Sequence, residues 1–253
     1  MKGYVLNLAR RPERLSRFLE WNGGRPGLEL EVVPAVEGVG LDRAALVAEG
    51  LLDAGHQGFS DGALGNALSH RGQWQACAAS GQPRLVFEDD SCLHHSFVAQ
   101  APALLRGLEQ ADMVLFGYNT NAALTLVLPD HMVSAVYFGT AAEVTPDYYR
   151  DFAGKAAPRP RSVLHPALMA WGTLAYAVSP HGADRLLRAC FPLSSARPVR
   201  AHAENREVFP GALDGMVNVA LQAGAARALA CFPPLALSPN DLSDVEAAPS
   251  SSP

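Results

Sequence analysis

The stretch PRLVFEDDSCLHHSF, residues 83–97, decides how the chain is read. Leu85, Val86 and Phe87 run straight into three carboxylates, Glu88, Asp89 and Asp90. The apolar run reads as a strand. Neighbouring acids repel one another, so either a positive group lies nearby or all three face water. In an open α/β sheet, ligands bind beyond the carboxyl ends of the strands, and these acids stand at such an end. If the extended geometry persists for two more residues, Glu88 and Asp90 point to one side and Asp89 to the other. An acid-x-acid pair suits a hard divalent cation that also takes diphosphate oxygens. The alternative is a cap on the following helix, a position where Asp is favoured.

Outward from this strand, the first half alternates strand and helix. GYVLNL (3–8), LELEVVPAV (28–36) and DMVLFGYN (112–119) read as strands. RPERLSRFLEWN (11–22), DRAALVAEGLLDAG (42–55), SDGALGNALSHRGQWQACAAS (60–80) and most of 94–110 read as helices. That order predicts an α/β sheet with helices on both faces. The second half is less regular. AALTLVLPDHMVSAVYFGTAAEV suggests a hairpin broken at Pro129 and Asp130, WGTLAYAVS a strand, and PHGADRLLRACF and LDGMVNVALQAG helices. AGKAAPRPRSVLHP (153–166), rich in Pro and basic residues, reads as a mobile loop and candidate lid. One domain over residues 1–244 and a disordered tail at 245–253 complete the division.

The chain has 253 residues, 49% hydrophobic and 18% charged, enough to bury a sizeable core. A net charge of −5 without a basic block argues against nucleic acid as a partner. Cys77, Cys92, Cys190 and Cys231 lie far apart and predict reduced thiols. Four arginines follow a five-residue apolar stretch near the N-terminus, too short for a secretory signal, so a cytoplasmic protein is expected. A phospho-acceptor receiver domain would need an Asp ending the next strand, where Tyr118 and Asn119 stand instead.

Five stretches, in order, resemble glycosyltransferase family 25, the lipooligosaccharide and collagen galactosyltransferase group. YVLNLARRPERL resembles the family's opening, GALGNALSH its G-x-x-G-x-x-x-S-H segment, and LVFEDD its strand ending in Glu-Asp-Asp. WGTLAYAVSPHGADRLL and LDGMVNVAL resemble two later segments, so the likeness covers roughly residues 3 to 221. Ala9, Ala63 and Asn66 depart from the family's usual Asp, Glu and Cys.

The resemblance implies a GT-A-like, Rossmann-type mixed sheet flanked by helices. It also implies a nucleotide-sugar whose diphosphate rests on a metal. Carried over, it places Mn²⁺ or Mg²⁺ on Glu88 and Asp90, with Asp89 on ribose or sugar hydroxyls. Asn7, Arg10 and Arg14 flank the first strand's end, and guanidinium forks suit diphosphate oxygens. Arg10 and Arg14 are four apart, a spacing that puts them on one side of a helix. Ser69 and His70 follow a Gly-rich turn whose amides suit phosphate or sugar. Asp214 is the expected base for an inverting displacement, with helix capping as its plainer role. Glu204 is the reserve base, and His202 a further metal ligand from a polar loop. His94 and His95 read as a surface pair.

The expected activity is transfer of a hexose, galactose first, from a UDP-sugar to a saccharide or glycolipid such as lipooligosaccharide. Peripheral contact with the inner membrane stays open. An inactive nucleotide- or glycan-binding protein of the same fold is the alternative, separated by donor turnover. A metal-dependent phosphohydrolase would share the acids but not the other four stretches.

Overall fold

The computed structural model describes residues 1–138, 146–154 and 159–239. The proposed tail at 245–253 and residues 155–158 of the proposed loop lie outside the described residues.

The first half follows the alternation: β1 (Lys2–Asn7), α1 (Pro12–Asn22), β2 (Glu29–Pro34), α2 (Arg43–Ala48), α3 (Asp61–Ser80), β3 (Arg84–Glu88), β4 (Cys92–Leu93), α4 (Phe97–Leu104) and β5 (Met113–Gly117). The hairpin β6 (Leu124–Val127) and β7 (Val133–Val136) turns at Pro129–His131, as its Pro-Asp break predicts. Then come α5 (Pro146–Gly154), β8 (Val163–Met169), β9 (Ala175–Val178) and α6 (Pro180–Cys190). The chain closes with β10 (Val199–Ala201), β11 (Arg206–Val208), α7 (Leu213–Gln222), β12 (Ala228–Phe232) and β13 (Ala236–Leu237).

An eleven-stranded mixed sheet runs β2-β1-β3-β9-β5-β12-β8-β6-β7, with β4 and β13 attached beside β5. β1 pairs parallel with β2 and β3, whereas β9 runs antiparallel between β3 and β5. The carboxyl ends of β1 and β3 therefore meet the start of β9 at one edge. Side chains alternate across β3. Val86 joins the core beneath α3, α6 and α7, while Leu85 and Phe87 join Phe18 of α1 and Phe97 of α4 on the other face. Both faces are covered, so this strand is apolar throughout rather than alternating.

Two expectations need correction. The helix expected over 42–55 ends at Ala48, because Gly50 takes φ +69° and Leu52 then bridges to Leu193. The segment expected to be a mobile loop is tied down where described. Arg159 and Ser162 donate to the carbonyls of Pro234 and Pro233, and 163–169 is β8. Pro166 is tolerated because β6 pairs only beyond it, at Ala167 and Met169. All four cysteines are buried and free, and among the described residues no helix is long and apolar enough to cross a membrane.

Candidate active site

The strand geometry stops at Glu88. Ser91 N–H donates to the Glu88 carbonyl at 3.0 Å, closing a turn over Asp89 and Asp90 in place of the expected alternation. The turn is fastened from below. Ser91 Oγ donates to the Leu174 carbonyl at 2.6 Å, and Asn22 of α1 donates to the Ser91 carbonyl at 2.7 Å. The three carboxylates diverge, each toward a different partner.

Glu88 Oε1 accepts from Thr173 Oγ1 at 2.5 Å, from His70 Nε2 at 3.0 Å and weakly from Asn66 at 3.5 Å. Burial alone raises the Glu88 pKa, but His70, Thr173 and Asn66 bring it down to about 2. The proton on His70 follows from its neighbours. Trp74 Nε1–H can only donate, and it donates to Tyr176 Oη at 3.0 Å. With that bond accepted, the Tyr176 hydroxyl is free to donate to His70 Nδ1 at 2.9 Å, leaving the Nε2 proton for Glu88. A buried chain of donors, Trp74 to Tyr176 to His70, thus ends on the carboxylate.

Asp89 meets a positive group, the first of the two alternatives that the sequence left open. Arg14 places Nε 2.7 Å and a terminal nitrogen 2.6 Å from Asp89 Oδ1, and Asn7 donates to Oδ2 at 2.7 Å. The Asp89 pKa is raised by burial, against the pull of Arg14. Burial works against the Arg14 charge too, yet Asp90, Asp89 and Glu88 raise its pKa above the ordinary guanidinium value.

Asp90 accepts from Ser238 Oγ at 2.9 Å through Oδ2, and Arg14 stands 3.4 Å away. Its other oxygen, Oδ1, is buried without a hydrogen-bond partner. Burial and the Glu88 charge push the Asp90 pKa up to about 7.

Asp214 lies in the first turn of α7, while Ala212 holds the cap position, so it is not the helix cap. Its oxygens accept N–H bonds from Gly172 and Gly215, both at 2.7 Å. Gly172 has φ +83°, and a Cβ there would lie 2.6 Å from Asn119 Oδ1, so this approach demands glycine. Burial raises the Asp214 pKa, with the Glu88 charge adding to it against the two N–H bonds.

Two clefts open on these groups. The first, about 640 Å³, lies between Arg10, Arg14, the loop at 35–38 and the start of α3. The second, about 1070 Å³, is lined by Asn119, Trp171, Thr173, Phe209 and Asp214. Asn66, Glu88 and Asp90 line both.

Several expectations change in detail. The Gly-rich stretch before Ser69 is no turn but part of α3, capped by Ser60. Gly65 lets α3 press on the loop after β2, where a Cβ would sit 2.6 Å from the Val36 carbonyl. Ser69 Oγ joins the same two elements, donating to Gly65 O and accepting from Val36 N. His70 is 0% exposed, lines neither cleft and bonds to Glu88. The spacing argument for Arg10 fails because α1 starts at Pro12; Arg10 pairs instead with Glu37 at 2.7 Å, and both arginines still line the first cleft. His202 and Glu204 sit in an exposed turn between β10 and β11 and line neither cleft, so they do not join the site. His94 is buried against Ser96 rather than on the surface.

Asn66 faces Glu88, Ala63 is buried in the core and Ala9 is exposed in a turn. Thr173, Tyr176, Trp74, Ser238, Trp171 and Phe209 are contributors to which the sequence reading gave no role. Thr173 and Tyr176 lie in a quoted stretch. Ser238 lies in a part of the chain that carried no motif. Among the described residues, no group of three or more His, Cys, Asp or Glu is arranged to hold a metal by itself.

The model of glycosyltransferase family 25 (LPS biosynthesis protein) matches residues 1–197. No curated protein matches the chain.

Proposed function

The chain belongs to glycosyltransferase family 25, and on that premise we propose that it moves a hexose, galactose first, from a UDP-sugar to a saccharide acceptor with inversion. Membership makes it a glycosyltransferase of a family concerned with lipopolysaccharide biosynthesis, acting between a sugar donor and a saccharide acceptor. The UDP-hexose donor and the inversion follow from the family resemblance, and the metal rests on one observation: Asp90 Oδ1, a buried carboxylate oxygen without a partner where the two clefts meet. Buried polar atoms are ordinarily bonded, and one left bare at a site calls for an ion or ligand.

The donor set fits a hard cation: Asp90 offers a bare oxygen, and Glu88 lines both clefts with Oε1 already bonded. A bound Mn²⁺ or Mg²⁺ would rest on these two carboxylates and supply charge stabilisation for a departing diphosphate. The nucleotide occupies the first cleft, whose wall carries Arg10, paired with Glu37, on the phosphate side and the buried Asp89–Arg14 pair on the ribose side. The acceptor occupies the second cleft. There Asp214 takes the proton of the attacking hydroxyl as the new bond to the anomeric carbon forms and the bond to UDP breaks. Its raised pKa makes it a better base than an ordinary aspartate. A cytoplasmic site of action, with peripheral contact at the inner membrane, accompanies a lipid-linked acceptor.

Calorimetric titration of UDP, UDP-galactose, UDP-glucose and UDP-N-acetylglucosamine with and without Mn²⁺ tests this. Manganese-dependent binding that Asp90→Ala abolishes is the expected result. Absence of nucleotide binding in both conditions overturns it.

A further inference from the structure

We propose that Phe209 and Trp171 form the surface on which a pyranose ring of the acceptor rests, an inference that stands on the transferase reading above. Both aromatics line the second cleft together with Asp214, Glu88 and Asp90. Phe209 is 58% exposed, although the backbone on either side of it is held. Val208 pairs with Val199 in the two-stranded β10–β11 ribbon, and Pro210 is buried. Pro210 packs so closely on α7 that a Cβ at Gly215 would lie 3.0 Å from it. Trp171 packs against Met169, Val199 and Ala201, so its indole is supported from behind.

A bare aromatic ring on a held backbone beside a polar centre has something to gain from being covered. The face of an aromatic ring is negative, and it attracts the weakly positive C–H groups on one face of a pyranose. The same sugar carries hydroxyls around its rim, and Asp214 and Asn119 stand on the cleft wall to receive them. An acyl chain would match the ring but leave those polar groups uncovered. The combination therefore selects a hexopyranose and makes Phe209 a determinant of acceptor affinity, separate from the donor side.

Saturation-transfer NMR on the full chain with the methyl β-glycosides of galactose, glucose and N-acetylglucosamine tests this without a donor. Saturation of ring C–H protons is expected, with affinity falling roughly tenfold in Phe209→Ala and retained in Phe209→Tyr. No transfer to any of the three glycosides, transfer confined to the aglycone methyl, or equal affinity in Phe209→Ala overturns the proposal. Manganese-dependent UDP binding and UDP-hexose hydrolysis are measured on the wild type in parallel. Loss of both in the wild type would fell the transferase reading instead, while the NMR result still decides the platform.

Discussion

On the side of the acid turn proposed for the nucleotide, each carboxylate is held by residues distant in the chain: Glu88 by His70 and Thr173, Asp89 by Asn7 and Arg14, Asp90 by Ser238. On the side proposed for the acceptor, Asp214 is held by two backbone N–H groups, and the remaining wall presents an uncovered aromatic ring. Where charge must be placed before a ligand arrives, the polar groups are bonded into position in advance, as electrostatic preorganisation requires. Where the proposal places a neutral ring, the surface is left bare. The two sides should therefore fail differently when mutated: the first in folding and donor binding, the second in turnover and acceptor affinity.

The largest effect is expected from Asp214→Asn. Removing a general base lowers kcat by about 10²–10⁴-fold. Donor affinity, measured by calorimetry, should stay near the wild-type value, because Asp214 lines only the second cleft. In the wild type, kcat should fall as pH drops through a pKa above that of an ordinary aspartate, since the proposed base Asp214 would act only when ionised. Equal loss of donor binding and turnover would erase the division between the two sides.

Arg14→Ala comes next. Both members of the Arg14–Asp89 pair are about nine-tenths buried, so solvent screens them little. Removing one partner of such a pair costs about 3–5 kcal/mol, because the other charge is left in the interior. Urea denaturation would measure it, and a loss below about 1 kcal/mol, the range of a surface ion pair, would show that this side is not held by charge. Tyr176→Phe should cost less. It leaves the Trp74 N–H and His70 Nδ1 buried without the hydroxyl between them, a penalty of about 1–3 kcal/mol. Because Thr173 still donates to Glu88, manganese-dependent UDP binding should weaken only severalfold; unchanged stability would mean the chain of donors carries no energy.

The same contrast marks what the sequence made legible. The strands β1, β3 and β5 and helices α1, α3 and α6 announce themselves by apolar runs, caps and Gly or Pro stops. The acids at 88–90 could be picked out because three carboxylates end an apolar strand, whereas Asn7, Arg14, His70 and Asp214 stood out through the resemblance to the family. Which of them touch one another was not legible, since that depends on β9 inserting antiparallel between β3 and β5 and delivering Thr173 and Tyr176 to Glu88. β12 and Ser238 lie in an Ala- and Pro-rich stretch without period or motif. The segment 159–166 misled because its Pro and Arg content signals a loop, whereas its carbonyl contacts and pairing with β12 are long-range. Phe209 carries no polar signal at all, and only its exposure in a cleft distinguishes it.

The smallest expected effect sharpens the comparison most. Phe209→Ala should leave stability within about 0.5 kcal/mol, the range of surface substitutions away from the core. The ring is 58% exposed and belongs to no core cluster, so its removal opens no cavity. Thermal and urea denaturation of Phe209→Ala and Tyr176→Phe in parallel would place the two aromatic residues on opposite sides of the division. If Phe209→Ala proved as destabilising as Tyr176→Phe, the ring would be serving the fold rather than waiting for a ligand. The acceptor side would then be packed in advance just as the nucleotide side is.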